Sequence, residues 1–137
     1  MKLDPSAFIA NPELFAALEQ RSTAISCNQD RVLFRQGDPP AGVYILHQGH
    51  VTLTMDSAQG KTILSTQAAA GSLLGLPGLV GNEPYSLTAV AHHGAELGFV
   101  TRDDFLALMQ TDPLLSLEVL HVLAAEVRSA RNAILQR

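Results

Sequence analysis

GSLLGLPGLVGNEPYSLTAVA, residues Gly71 to Ala91, is the stretch that decides how the rest of the chain is read. Short strand-like runs flank it on both sides. It alone breaks their rhythm, with glycine at 71, 75, 78 and 81 and proline at 77 and 84. Glycine permits positive φ and close approach of another backbone or a ligand, while proline fixes φ and removes a donor. A segment punctuated in this way makes a poor continuous strand. The spacing predicts a loop, one short helical turn near 76–80, and a second loop entering a new strand at Ser86. Such an interruption can leave backbone N–H groups at a helix start facing a cavity, which suits an anion. A plain connector built of tight turns reads from the same residues.

Working outward, the runs RSTAIS (21–26), RVLF (31–34), GVYILH (42–47), HVTLTM (50–55) and TILSTQ (62–67) precede this stretch. ELGFV (96–100) follows it. All are rich in Val, Ile, Thr and Leu, and turn signals separate them: GDPPAG (37–42), QGH (48–50), DSAQG (56–60) and HHGA (92–95). That pattern predicts an antiparallel sandwich or barrel rather than alternating βαβ units. Helices bracket it. NPELFAALEQ (11–20) has Asn11 as cap, Pro12 at the first helical position and Leu14, Phe15 and Leu18 on one face. A turn at 5–9 reads as helical too. Thr101 with Asp104 three residues on forms a capping box ahead of Phe105, Leu108 and Met109. Asp112-Pro113 caps a last helix over about 112–137 with no further Gly or Pro. Helix, barrel, helices is an α+β order.

At 137 residues the chain has length for one domain, 1–137. With 47% hydrophobic and 16% charged residues it is globular rather than disordered. A net charge of −4 argues against a phosphate-backbone binder acting alone, so no nucleic acid is expected as a direct partner. No apolar run reaches membrane-spanning length, and the N-terminus MKLDPSAF lacks a signal peptide's apolar core. One cysteine, Cys27, excludes an internal disulfide framework and any multi-cysteine metal site. A cytoplasmic setting without membrane partner is the expectation.

The run VLFRQGDPPAGVYILHQGHVTL (32–53) resembles the cyclic-nucleotide-binding domain in the form found in the CRP/FNR family of bacterial regulators. The matching positions are Phe34, Gly37, Asp38, Gly42, Tyr44, Ile45 and Gly49. The likeness continues through Gly71 and Gly75, the strand entered at Ser86, the capped Thr101 helix and the long last helix. It implies a β-roll, or jelly-roll barrel, flanked by helices and serving as a non-catalytic ligand-sensing module in signal transduction and transcription regulation.

The family's phosphate cassette carries a glutamate directly after the glycine matching Gly75, and an arginine followed by a small residue at the positions of Tyr85 and Ser86. The glutamate takes the ribose hydroxyl and the arginine forks onto the cyclic phosphate. Here those positions hold Leu76 and Tyr85, which offer neither acceptor nor cation. Between Arg35 and Arg102 the one cation is Lys61, beside the DSAQG hairpin. The cassette residues Gly75, Leu76, Tyr85 and Ser86 therefore remain the candidate ligand site, without tight cAMP binding. Tyr85 is expected to turn its ring into the cassette, among Leu76, Leu79 and Val80. The ligand, if there is one, is a small molecule the sequence does not name, and no cofactor is called for.

The last helix shows two apolar faces. Leu115, Val119 and Val122 would pack on the barrel. Leu120, Leu123, Val127, Ala130 and Ile134 follow a 3-4-3-4 repeat, the seam of a two-stranded coiled coil. On that register Glu126 and Arg131 take the positions that pair across a parallel seam. The expectation is a homodimer through this helix, and the resemblance points the same way. A single helix lying on its own barrel is the alternative. The family's transcription regulators continue into a winged helix-turn-helix, whereas this chain stops at Arg137; it reads as a solitary sensor or as a regulator cut after its sensor.

Two rivals share the barrel. A cupin-type metal-dependent enzyme needs histidines and a carboxylate around one cavity, but His47 and His50 straddle a turn and His92 and His93 are adjacent. A haem sensor of the same family needs an axial histidine, for which His92, His93 or His121 are the candidates. Solvated turn histidines are the plainer account. Cys27 has no sequence neighbour that would activate its thiol.

Overall fold

The computed structural model describes residues 1–136. A short 3-10 turn at Pro5–Phe8 leads into α1 (Pro12–Glu19), whose Asn11 side chain accepts a hydrogen bond from the Leu14 amide at 2.8 Å. The strands follow as β1 (Thr23–Ser26), β2 (Arg31–Phe34), β3 (Gly42–Gln48), β4 (Val51–Asp56), β5 (Thr62–Ala68) and β6 (Leu73–Leu74). After α2 (Leu76–Gly81) come β7 (Thr88–Ala91) and β8 (Glu96–Thr101), then α3 (Arg102–Thr111) and α4 (Pro113–Leu135). The caps expected for the last two helices form: Thr101 Oγ1 accepts from the Asp104 amide at 3.2 Å, and Asp112 Oδ1 accepts from the Leu114 amide at 3.2 Å. The expected end of the last helix at Arg137 lies outside the described residues.

The strands form two antiparallel four-stranded sheets, ordered β1-β8-β3-β6 and β2-β7-β4-β5. Together they make a β-roll with the helices against it, the α+β class expected. Two cores result. One fills the roll, from Phe34, Leu46, Leu53, Leu74, Ala89 and Leu97. The second lies between the helices and the outer face of the first sheet, from Leu14, Leu18, Val43, Ile45, Phe105 and Val119. β3 serves both because successive strand residues point to opposite faces: Val43 and Ile45 enter the helical core, and Leu46 enters the roll. Full burial of a leucine or isoleucine on either side contributes about 1.5–3 kcal/mol, so β3 is a principal attachment of helices to barrel.

Two elements depart from expectation. β6 is two residues long, too brief to show a period, and exists because Leu73 and Leu74 pair with Ile45 and Tyr44 of β3. The strand expected from Ser86 begins at Thr88. The preceding backbone is already committed: the Tyr85 amide donates to the Asp38 carbonyl at 2.9 Å, and its carbonyl accepts from the Gly37 amide at 2.8 Å. No single helix among the described residues is long and apolar enough to cross a membrane.

Candidate functional site

The site begins where β6 ends. Gly75 caps α2 with φ at +94°, and a Cβ placed on it would sit 2.7 Å from Cε1 of Tyr85. A side chain there would be strained by its backbone and would strike the ring as well. Gly75→Ala is accordingly expected to destabilise the protein by about 1–3 kcal/mol, read from urea unfolding. An unchanged midpoint would show that the ring can yield. α2 turns through Pro77 and is capped by Asn82, itself at φ +53°, and the chain returns through Pro84 to Tyr85.

Tyr85 is 4% exposed. Its ring stacks on Phe34 with centroids 4.0 Å apart and 21° between planes. Its hydroxyl donates to the Gly42 carbonyl at 2.6 Å and accepts from the Gly42 amide at 3.1 Å. Burial raises the phenol above its ordinary range, so it stays a neutral donor at physiological pH. The ring is buried, as expected, but its neighbours differ from those expected. Leu76 and Leu79 lie in the helical core, and Val80 is 42% exposed. The turn of α2 rotates all three away, and the ring meets β2 and the start of β3 instead.

Gly75, Tyr85 and Ser86 line one small cavity together with Phe8, Phe34 and Glu126; Leu76 is not on its wall. The cavity holds about 10 Å³, at the lower limit for a single water. An apolar pocket of about 210 Å³ adjoins it between the roll and α4, sharing Phe8, Pro77, Ser86, Leu87 and Glu126. Leu123, Val127 and Ala130 form its α4 side. No lysine or arginine stands among the described residues lining either space.

Glu126 corrects the reading of α4. The heptad register placed it on the seam, opposite Arg131 of a second copy. Its carboxylate instead faces these cavities, with Oε2 buried and without a hydrogen-bond partner. Burial pushes this carboxyl up to about 8. A signal for it was present in the sequence. The barrel-facing stripe Leu115, Val119, Val122 continues at the same spacing through position 126 to the buried Ser129 and Ala133. The seam residues divide along the same lines. Leu120, Val127 and Ile134, seven apart, are 57%, 56% and 54% exposed, while Leu123 and Ala130 are half-buried against the two cores.

The histidines do not converge. His92 bonds Thr52 Oγ1 through Nε2 at 2.5 Å and lies 3.4 Å from Asp30 through Nδ1. The His93 amide and the His92 ring hold the Asp30 carboxyl below its usual value. His47 sits edge-on to Phe15, and His121 lies beside Glu118 on the exposed side of α4. Among the described residues no three histidine, cysteine or carboxylate side chains gather around a common point. Cys27 is buried in the roll.

The sequence profile described as "Cyclic nucleotide-binding domain" matches residues 24–112. The chain is 30% identical over 102 residues to the cyclic AMP receptor protein of Thermus thermophilus, a match covering 74% of this chain and 47% of that protein. It thus spans about half the length of that curated relative. The crystal structure of the Thermus thermophilus catabolite activator protein superposes with a TM-score of 0.78 at 26% identity, covering 96% of this chain and 62% of the other. The N-terminal domain of a transcriptional regulator from Streptomyces coelicolor shares the fold, with a TM-score of 0.66 at 22% identity over 95% of this chain and 90% of its own. On the profile match, the relative and the shared β-roll, this chain belongs to the cyclic nucleotide-binding domain family and is a regulatory sensor domain homologous to those of CRP/FNR regulators.

Proposed function

We propose that the chain is a non-catalytic sensing module whose cassette no longer accepts a cyclic nucleotide, and which signals through a homodimer built on α4. One observation carries the first half: the Tyr85 ring lies on Phe34 with its hydroxyl spent on Gly42, in the position where the family resemblance puts the phosphate-binding arginine. About 10 Å³ of space is left beside it. Charged hydrogen bonds contribute about 1.5–3 kcal/mol each, so lacking the glutamate and the arginine weakens a nucleotide by a thousandfold or more. The Thermus relative's name makes cAMP the first ligand to test. Low-micromolar cAMP or cGMP is expected to leave the melting temperature unchanged. A clear rise would mean that backbone N–H groups at Gly75 and the Ser86 hydroxyl suffice to hold the phosphate.

The dimer is supported by the exposed Leu120, Val127 and Ile134 on one face of α4, completed by Leu123 and Ala130. A ligand between roll and α4 changes the dimer only if it binds the two arrangements with different free energy. The variant Val127→Glu/Ile134→Glu puts two charges in the seam while sparing the buried stripe. Sedimentation is expected to show a folded monomer for it and a dimer for the unmodified protein. A monomeric unmodified protein would remove the seam from the account. The free Cys27 fits a reducing cytoplasm.

A further inference from the structure

The two cavities leave one group unexplained, the Glu126 carboxylate. A buried charge without a partner is costly, and proteins resolve it by neutralising the group or pairing it. Among the described residues no ion pair reaches Glu126, and its Oε2 has no donor. It lines both the small cavity and the 210 Å³ pocket, with Oε2 closed off and the residue as a whole part-buried. The remainder of that pocket is nearly all apolar: Leu3, Met55, Leu64, Leu87, Leu123 and Val127 supply most of its wall. For scale, an apolar cavity of about 150 Å³ holds a benzene molecule.

A half-open apolar pocket with one carboxyl group on its wall selects a ligand by opposite chemistry to a cyclic nucleotide. Resting on the reading that the cassette refuses anions, we infer that this pocket takes a small apolar molecule bearing one protonated amine, with the ammonium on Glu126 and the hydrocarbon body against Met55, Leu64 and α4. The ammonium takes the place of the proton, offsetting the carboxylate charge that burial otherwise disfavours. Ser86, on the wall of both cavities, offers the second hydrogen-bond partner. An anion of the same size finds no cation among the described lining residues and cannot draw the proton off Glu126 by pairing with it.

Proton linkage gives a second signature. Of the described residues lining the two spaces, Glu126 and Tyr85 are the titratable ones, on α4 and on the barrel side respectively, and the phenol stays neutral. Burial holds the carboxyl to about 8. It is therefore mostly protonated at pH 7 and must give up its proton to pair with an ammonium, so close to one proton leaves for each amine bound.

The test titrates phenethylamine and phenylacetate separately into the full chain by calorimetry at pH 7, in buffers of different ionisation enthalpy. Phenethylamine is expected to bind one per chain with release of nearly one proton, and phenylacetate at least tenfold more weakly. Glu126→Gln, checked for folding by circular dichroism, is expected to lose at least tenfold in phenethylamine affinity and all proton release, with phenylacetate unchanged. Equal affinity for the two compounds, no saturable phenethylamine binding at millimolar concentration, or binding without proton release in the unmodified protein would each overturn the inference. A cAMP titration run alongside separates the two levels. Saturable cAMP binding defeats the reading of a closed cassette, whereas silence from cAMP and phenethylamine together defeats the amine site alone.

Discussion

Tyr85→Ala is expected to lower the unfolding free energy by about 2–4 kcal/mol, near the range for truncating a buried aromatic side chain. The ring is almost fully buried, stacks on Phe34 and fills the space next to Gly75. Its removal leaves a cavity walled by Phe34 and the glycine, and it strips the hydroxyl from both polar atoms of Gly42. Tyr85→Phe separates these contributions. It keeps the stacking and loses the two hydrogen bonds, and should cost about 1–2 kcal/mol. Urea unfolding of both variants is the check. A loss below about 1 kcal/mol for the alanine variant would show that the roll closes over the gap and that the ring does not hold the cassette shut.

The second large effect is a pH dependence centred on Glu126. Its folded-state value of about 8 lies above the ordinary 4.5, so the folded protein binds this proton more tightly than the unfolded chain does. The stability linked to that proton is fully present below about pH 4.5 and is lost as pH rises through about 8. The difference, 8 minus 4.5, at about 1.4 kcal/mol per pH unit gives at most about 5 kcal/mol across the window. Water entering from the adjoining pocket would reduce it. Glu126→Gln isolates the contribution from that of the other carboxylates. The variant should approach the unmodified protein in stability near pH 5 and exceed it by several kcal/mol at pH 9. Parallel curves for the two proteins from pH 5 to 9 would show that the carboxylate is hydrated in the fold.

The fold was legible in the sequence because its strands are short, β-branched and separated by glycine-bearing turns, and because its helices carry their own caps at Asn11, Thr101 and Asp112. β6 was not legible, since a two-residue strand has no period and owes its existence to β3 across the sheet. The interruption at 71–91 announced itself through its glycines, and the short helix after Gly75 came with it. The partners of Tyr85 did not. They are Phe34 and Gly42, about forty or more residues away in the chain, and the choice between them and the local Leu76 and Leu79 depends on how far α2 turns. Glu126 was misread for a different reason. Two apolar stripes run along α4, and a heptad register fits one as well as the barrel-facing repeat fits the other. A carboxylate on the buried stripe runs against the usual pattern, which is why it reads as a surface charge and why its burial calls for a ligand or a proton.

The central claim, a cassette closed to cyclic nucleotides by Tyr85, is tested most directly by following backbone amide signals of the isotope-labelled protein during a cAMP titration. Gly75, Tyr85 and Ser86 report on the cassette and Glu126 on the face of α4 above it. The account predicts that these four signals stay in place up to millimolar cAMP. Saturable shifts of Gly75, Tyr85 and Ser86 at low-micromolar cAMP would contradict it.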